Sequence, residues 1–366
     1  MKEKIRVGLL LGGQSVEHEI SILSARNVYE AMDRNKYEIF LIGIDKEGRW
    51  HFSDERIFLE NGMKTRLKSL PDDGNFLVLV PGGERQSTFS LYHTRGNMPV
   101  DVIFPVLHGT HGEDGTVQGF LTLAGIPFVG AGILGSAIGM DKEVTKRLLR
   151  DAGIPTPHFR VFHPRDLPKM DFAALGEEMG LPFFVKPVSL GSSVGVHKVK
   201  TRDEFFPALQ DAFQYDTKIL AEQFIPGREI ECSILGNDDP VASLPGEIIP
   251  RHDFYSYEAK YLDKEGAILD VPAQLSPALI RKIQETAVHA FQVLNCEGMA
   301  RVDFFLRGED LFVNELNTIP GFTAISMYPK LWEVSGIPYR ELIDRLIQLA
   351  LERFEREKKL KTSYEG

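Results

Sequence analysis

The strongest chemical signal in the chain is a set of four polar residues in two apolar runs. Arg301 and Asp303 alternate within MARVDFFL, and Glu315 and Asn317 alternate within DLFVNELN. The runs flank the turn RGED, centred near Glu309, so symmetric pairing puts Asp303 opposite Glu315 and Arg301 opposite Asn317 on one sheet face. Two carboxylates facing each other across a ladder repel unless a cation lies between them. With an amide oxygen beside them they form a hard donor set suited to Mg²⁺, which keeps its remaining positions for water and substrate phosphate. The alternative is a plain solvated sheet face. Against it stands NELNTIPGF, whose Gly/Pro segment is able to close over a ligand.

Two lysines point the same way. Lys142 opens a helix, where a cation opposes the dipole at a cost of ~0.3–1 kcal/mol that a bound anion would remove; an ordinary surface lysine is the other reading. Lys186 sits in the apolar strand PFFVKPV, just before a Gly/Ser loop whose N–H groups and hydroxyls can fold over phosphates. Within that loop GSSVG matches the GxSxG pattern of serine hydrolases, with Ser193 as nucleophile. That elbow needs a helix after the turn, however, and VGVHKVK alternates as a strand. Near the N-terminus Gly12-Gly13 precede a helix and make a place for an anion or polar ligand, which Glu17 in the first turn would face. Complementing the helix dipole is the simpler role for Glu17. The segment lacks the third glycine of GxGxxG, and GxxxxGK followed by Ser or Thr does not occur. Magnesium with lysines indicates phosphoryl chemistry.

The elements that must position these groups are legible in outline. A buried strand at Val7–Leu11 leads through Gly12-Gly13 to a helix opening at Ser15, with Ile20, Leu23, Val28 and Ala31 on one face. Strand-like runs follow at Tyr37–Ile44 and Val100–Leu107, giving a parallel α/β layer. Residues 61–98, rich in Gly, Pro and polar types, give no resolvable elements. Asp141 caps a helix carrying Val144, Leu148 and Leu149, which Gly153 and Pro155 end. A helix at Phe172–Met179, the hairpin PFFVKPV/VGVHKVK, and the strands KILAEQFI and REIECSIL come next. A helix from Pro277 to Leu294, the polar-faced hairpin and an amphipathic helix from Tyr339 complete the chain.

At 366 residues the chain exceeds one domain of ~150 residues. Lys plus Arg is 42 and Asp plus Glu is 52, so the net charge is 42 − 52 = −10, with no basic cluster of the kind that binds nucleic acid. The two cysteines, Cys232 and Cys296, make neither a disulfide framework nor a zinc site and are expected as reduced thiols. The apolar run after MKEKIR is too short for a signal peptide, and no stretch is long enough to span a membrane, so a cytoplasmic protein is expected.

With these residues placed, the chain resembles the D-alanine:D-alanine ligases of the ATP-grasp superfamily over nearly its full length. The matching segments are GGQSVEHEIS, FPVLHGTHGEDGTVQG, GMDK, FVKPVSLGSSVGV, AEQFIPGREIE, FYSYEAKYL, MARVD and NELNTIPGFTAIS. The resemblance implies an N-terminal α/β domain (1–110) followed by two ATP-grasp subdomains (111–225 and 226–366) that clamp the nucleotide. It implies ATP as cosubstrate, with Lys142, Lys186 and Lys260 on phosphates, Glu222, Gln223 and Ile225 around adenine, and Glu229 on the ribose. Gln223 stands where some members have lysine, and that contact can be made by the backbone. Asp303, Glu315 and Asn317 would hold two Mg²⁺ ions, or Mn²⁺. Glu17 would receive the amino group of the first D-alanine, near His108 and Tyr261. Arg301 and the Gly321 N–H would form an oxyanion hole, Ser326 and Met327 would bind the second D-alanine, and Ser192 would belong to the covering loop.

The implied reaction runs through an acyl phosphate formed by attack of the first D-alanine's carboxylate on ATP, followed by attack of the second D-alanine's amine. A network of Glu17, Ser192 and Tyr261 is the candidate for receiving its proton. Members that use D-lactate differ in the loop YEAKYLDKEG, where Lys260 and Tyr261 match the dipeptide-forming type. The family also implies a homodimer and a role in peptidoglycan precursor synthesis.

Overall fold

The computed structural model describes residues 3–52, 77–80, 88–91, 97–250, 267–323, 325–361 and 363–364. The N-terminal layer is a four-stranded sheet. Strand β1 (Ile5–Gly12) is followed by helix α1 (His18–Ala31), β2 (Tyr37–Ile44) and β3 (Trp50–Phe52). A separate antiparallel sheet of β4 (Leu77–Val80), β5 (Thr88–Leu91) and β6 (Asn97–Pro99) occupies part of the segment that the sequence left unassigned. Strand β7 (Val102–Pro105) then returns beside β1, giving the order β3-β2-β1-β7, with β1 parallel to both β2 and β7. Because β1 is covered on both faces it reads as an unbroken apolar run rather than an alternating one. The parallel strands end at Gly12 and just before His108, on the edge where open α/β sheets bind ligands.

The start of α1 differs from the sequence expectation. The helix begins at His18 rather than at Ser15, and the Ser15 hydroxyl instead accepts from Glu17 N at 3.1 Å and donates to the His108 carbonyl at 2.6 Å. The buried face is Ser21, Ile22, Ala25, Val28 and Tyr29, while Ile20 and Leu23 line an open cavity. Apolarity alone does not separate a face aimed at the core from one aimed at a cleft.

The middle of the chain comprises α2 (Thr116–Ala124), α3 (Ile133–Met140), α4 (Lys142–Asp151), β8 (Phe159–Phe162), α5 (Phe172–Met179), β9 (Phe183–Pro187), β10 (His197–Val199), α6 (Arg202–Tyr215) and β11 (Ile219–Gln223). Asp141 caps α4 by accepting from Val144 N at 2.9 Å, and Gly153, at φ +76°, follows its end. Val144 is exposed whereas Leu149 is fully buried, so the core face of α4 is narrower than its apolar residues suggest. The antiparallel sheet β10-β9-β11-β8 packs on α5 and α6 through Phe172, Phe183 and Phe205. GSSVG joins two strands and no helix follows it, so the hydrolase elbow is excluded. The strand after the loop is shorter than VGVHKVK, pairing only from His197 to Val199.

The last layer contains β12 (Arg228–Gly236), β13 (Val241–Ala242), β14 (Gly246–Pro250), β15 (Ala267–Asp270), α7 (Pro277–Val293), β16 (Gly298–Arg307), β17 (Asp310–Asn317), α8 (Met327–Val334) and α9 (Tyr339–Glu357). Its sheet runs β15-β14-β12-β16-β17, with β13 on β12. One face carries Ile230, Cys232, Val302 and Phe304 against Ile283, Ala287 and Phe291 of α7. The alternation of β16 therefore leaves Arg301 and Asp303 on the other face, toward the cleft. Helix α9 packs beneath the N-terminal sheet, joining the first and last layers in one core. Among the described residues no helix is long and apolar enough to cross a membrane.

Candidate active site

Strands β16 and β17 pair Asp303 with Glu315 and Arg301 with Asn317, the register expected from the sequence. The route to it is different. The turn holds two residues, Gly308 and Glu309, so Arg307 pairs with Asp310; a β-bulge at Asn314 then inserts one extra residue and restores the expected partners. Arg301 grips Asp303 with two bonds of 2.7 Å and lies 3.0 Å from Glu231 on β12, while Asn317 Nδ2 donates to Asp303 at 3.0 Å. Burial acts to strip the proton from Arg301, but Asp303 and Glu231 outweigh it and hold the guanidinium firmly charged. Among the described residues no three carboxylate, imidazole or thiolate side chains gather for a metal. The donor set at this hairpin is two cross-strand carboxylates and one amide oxygen on a face open to the cleft, which fits a hard divalent cation.

Next to the bulge lies a cluster of lysines. Lys186 Nζ meets Glu222 Oε1 at 2.5 Å and the Asn314 side-chain oxygen at 3.4 Å. Lys146, buried on α4, meets Glu222 Oε2 at 2.7 Å and the Asn314 carbonyl at 3.0 Å. Burial pushes the Lys146 ammonium down to about 8, helped by the charge of Lys186 and opposed by Glu222. Burial would raise the Glu222 carboxyl, and the two ammonium groups more than reverse that. Both Glu222 oxygens are thus held by lysines. Lys142 Nζ donates to the Leu190 carbonyl at 2.5 Å and lies 3.7 Å from Glu315, so the first turn of α4, the Gly/Ser loop and the hairpin converge.

A cavity of about 540 Å³ opens between the layers. Glu17, His108, Ser192, Glu229, Arg301, Gly321, Ser326 and Met327 all line it, together with the hairpin face. Lys142, Lys186, Glu222, Gln223 and Ile225 lie outside its lining. Ser192 donates to Glu17 across the cavity, bridging the central loop to the N-terminal layer. The loop adopts left-handed backbone at Ser192 (φ +53°) and Ser193 (φ +60°), a conformation that side chains other than Gly and Asn rarely take and that surrounding contacts must hold in place. His108 lies between Ser24 Oγ at 3.2 Å and the Ile319 carbonyl at 3.1 Å; burial lowers its pKa, against the pull of Glu17, and keeps the ring neutral. Ser326 Oγ accepts from Thr323 N at 3.0 Å.

Three residues of the site were not singled out in the sequence. Glu231 has the parity of Glu229 within the apolar strand REIECSIL, which is the signal that would have found it. Lys146 follows Lys142 by one helical turn. Glu113 lies in the HGEDG segment and accepts from Gly109 N at 2.7 Å; burial and the neighbouring Glu17 raise its carboxyl to about 8. Lys260 and Tyr261 lie outside the described residues.

Comparison with known proteins places these features in a family. Sequence models described as D-ala D-ala ligase N-terminus and C-terminus match residues 6–131 and 148–348. A D-alanine--D-alanine ligase of Oceanobacillus iheyensis is 51% identical over 361 residues, covering 98% of this chain and 99% of that protein. The solved D-alanine-D-alanine ligase of Coxiella burnetii superposes with a TM-score of 0.85 at 41% identity, over 98% of this chain and 97% of the other. The VanG D-Ala:D-Ser ligase of Enterococcus faecalis gives 0.82 at 36% identity, over 95% and 100%.

Proposed function

The chain belongs to the D-Ala–D-Ala ligase family, whose members have the ATP-grasp fold, and it is an ATP-dependent ligase that joins two D-alanines; from that premise we propose how its residues divide the work. The observation that carries the proposal is the convergence of the Glu17–Ser192 bridge, Arg301 and the Asp303/Glu315/Asn317 face on one cavity.

Glu17 receives the ammonium of the first D-alanine, with the neutral His108 beside it. Lys142 and Lys186 meet the phosphates, Lys260 the γ-phosphate, and Glu229 the ribose, while Glu222 through its backbone, Gln223 and Ile225 border the base. Asp303, Glu315 and Asn317 would hold two Mg²⁺ or Mn²⁺ ions. When bound, these metals supply charge neutralisation that lowers the barrier to phosphoryl transfer. The carboxylate of the first D-alanine attacks the γ-phosphorus and ADP departs. The second D-alanine, its carboxylate at Ser326 and Met327, attacks the acyl carbon with a neutral amine. The oxyanion that develops is met by Arg301 and the Gly321 N–H, and inorganic phosphate leaves. Arg301 suits that role because Asp303 and Glu231 hold it rigid and charged, so no reorganisation accompanies the reaction. The proton of the second amine passes to the Glu17, Ser192 and Tyr261 network.

The division at 1–110, 111–225 and 226–366 puts the cavity at the junction of three units. We further read the protein as a cytoplasmic homodimer serving peptidoglycan precursor synthesis. Mass spectrometry of products tests the acceptor. D-alanyl-D-alanine is expected with D-alanine alone and when D-lactate or D-serine is added, and a depsipeptide or D-alanyl-D-serine as the main product would overturn the assignment.

A further inference from the structure

The best-buried cation near the cleft has no part in the scheme above. The Lys146 side chain is 0% exposed and sits one turn beyond Lys142 on α4. A buried lysine is costly and persists only where it is paired. Here one carboxylate serves two ammonium groups, since Glu222 gives Oε2 to Lys146 at 2.7 Å and Oε1 to Lys186 at 2.5 Å. The three side chains therefore keep one net positive charge, and Lys186 is the slightly exposed member. Were Lys146 absent, Glu222 and Lys186 would form a closed, neutral pair. The second bond of Lys146 is to the carbonyl of Asn314, the bulged residue that precedes Glu315.

We propose that Lys146 is a positioning residue for the nucleotide: by sharing Glu222 it keeps Lys186 from being neutralised, and by holding the Asn314 carbonyl it fixes the bulge that turns Glu315 into the cleft. The inference rests on Lys186 meeting phosphate and Glu315 holding metal. A plain structural ion pair would predict that every break in the cluster weakens the site alike, whereas a charge-sharing cluster predicts rescue. Calorimetric binding of the non-hydrolysable analogue adenylyl imidodiphosphate with Mg²⁺ distinguishes the two.

Lys146→Gln keeps a donor for Asn314 and removes the charge, and it should weaken binding at least tenfold while the KM for D-alanine moves less than twofold. Lys146→Gln/Glu222→Gln should return to within threefold of the wild type, because Lys186 again has no carboxylate to neutralise it. The double variant removes both charges of the buried Lys146–Glu222 pair together, so it supplies a reading if Lys146→Gln alone does not fold. Wild-type affinity in Lys146→Gln, or a double variant tenfold or more weaker than the wild type, would overturn the inference. Unchanged binding in Lys186→Met would instead overturn the phosphate assignment on which it rests.

Discussion

Replacing Asp303 with Asn separates the electrostatic task of this carboxylate from its structural one. The variant is isosteric, and its remaining carbonyl oxygen still accepts one of the two 2.7 Å bonds from Arg301. One charge-assisted bond is lost, at about 1.5–3 kcal/mol. The guanidinium is not stranded, because Glu231 stays 3.0 Å away. At ~2–4 °C per kcal/mol in large domains, the melting temperature should fall by about 3–12 °C, leaving the protein folded at 25 °C. Activity should suffer far more. The substitution removes one of two anionic donors that face each other across the hairpin, and loss of a group that organises transition-state charge costs about 10²–10³ in kcat. The assay is D-alanine-dependent phosphate release measured across a Mg²⁺ titration, with melting followed in parallel. A kcat within threefold of the wild type at every Mg²⁺ concentration would refute the metal assignment. Unfolding at 25 °C would refute the claim that Glu231 shares the neutralisation of Arg301.

Further outcomes follow from the same geometry. Ser192→Ala removes the hydroxyl that bridges to Glu17 and should lower kcat/KM for D-alanine by about 10–150-fold, the effect of one hydrogen bond to a charged group; an unchanged value in steady-state kinetics would count against the bridge. The Glu113 carboxyl is raised to about 8, so between its unfolded value near 4.5 and pH 8 the folded state holds a proton that the unfolded state has lost, and stability falls as pH rises through that window. Glu113→Gln should flatten the decline in melting temperature between pH 5 and pH 8, and a decline equal to the wild type's would refute the cause. Cys232 and Cys296 are buried thiols pushed up to about 12, so neither should react with a thiol reagent at pH 8 until denaturant is added. Stoichiometric labelling of the native protein would contradict that burial.

Much of the polar face of the β16–β17 hairpin was legible because period-two alternation in a strand is local. Arg301 with Asp303, and Glu315 with Asn317, follow from parity alone. Their pairing was obtained through two offsets that cancel: the turn is centred half a residue before Glu309, and Asn314 bulges out. A bulge is stabilised by what holds the extra residue, here Lys146 and Lys186, and that is a tertiary fact. The clustering of Lys146 with Glu222 and of Glu231 with Arg301 was equally hidden, since a buried charge is recognised only once its partner from a distant segment is known. Ile20 and Leu23 show the converse case, apolar residues on α1 that line the cleft rather than fill the core. Ser15 looked like a helix cap because its type suits that task, but the His108 carbonyl on the neighbouring strand end claims its hydroxyl.

Oxygen transfer tests directly whether one cavity activates the first D-alanine's carboxylate as an acyl phosphate and joins it to the second. D-alanine labelled with ¹⁸O in its carboxylate is incubated with ATP and Mg²⁺, and the products are weighed by mass spectrometry. One ADP and one phosphate per D-alanyl-D-alanine are expected, with one ¹⁸O carried from the first D-alanine into that phosphate. Unlabelled phosphate, or ADP formed without D-alanine, would contradict acyl-phosphate activation.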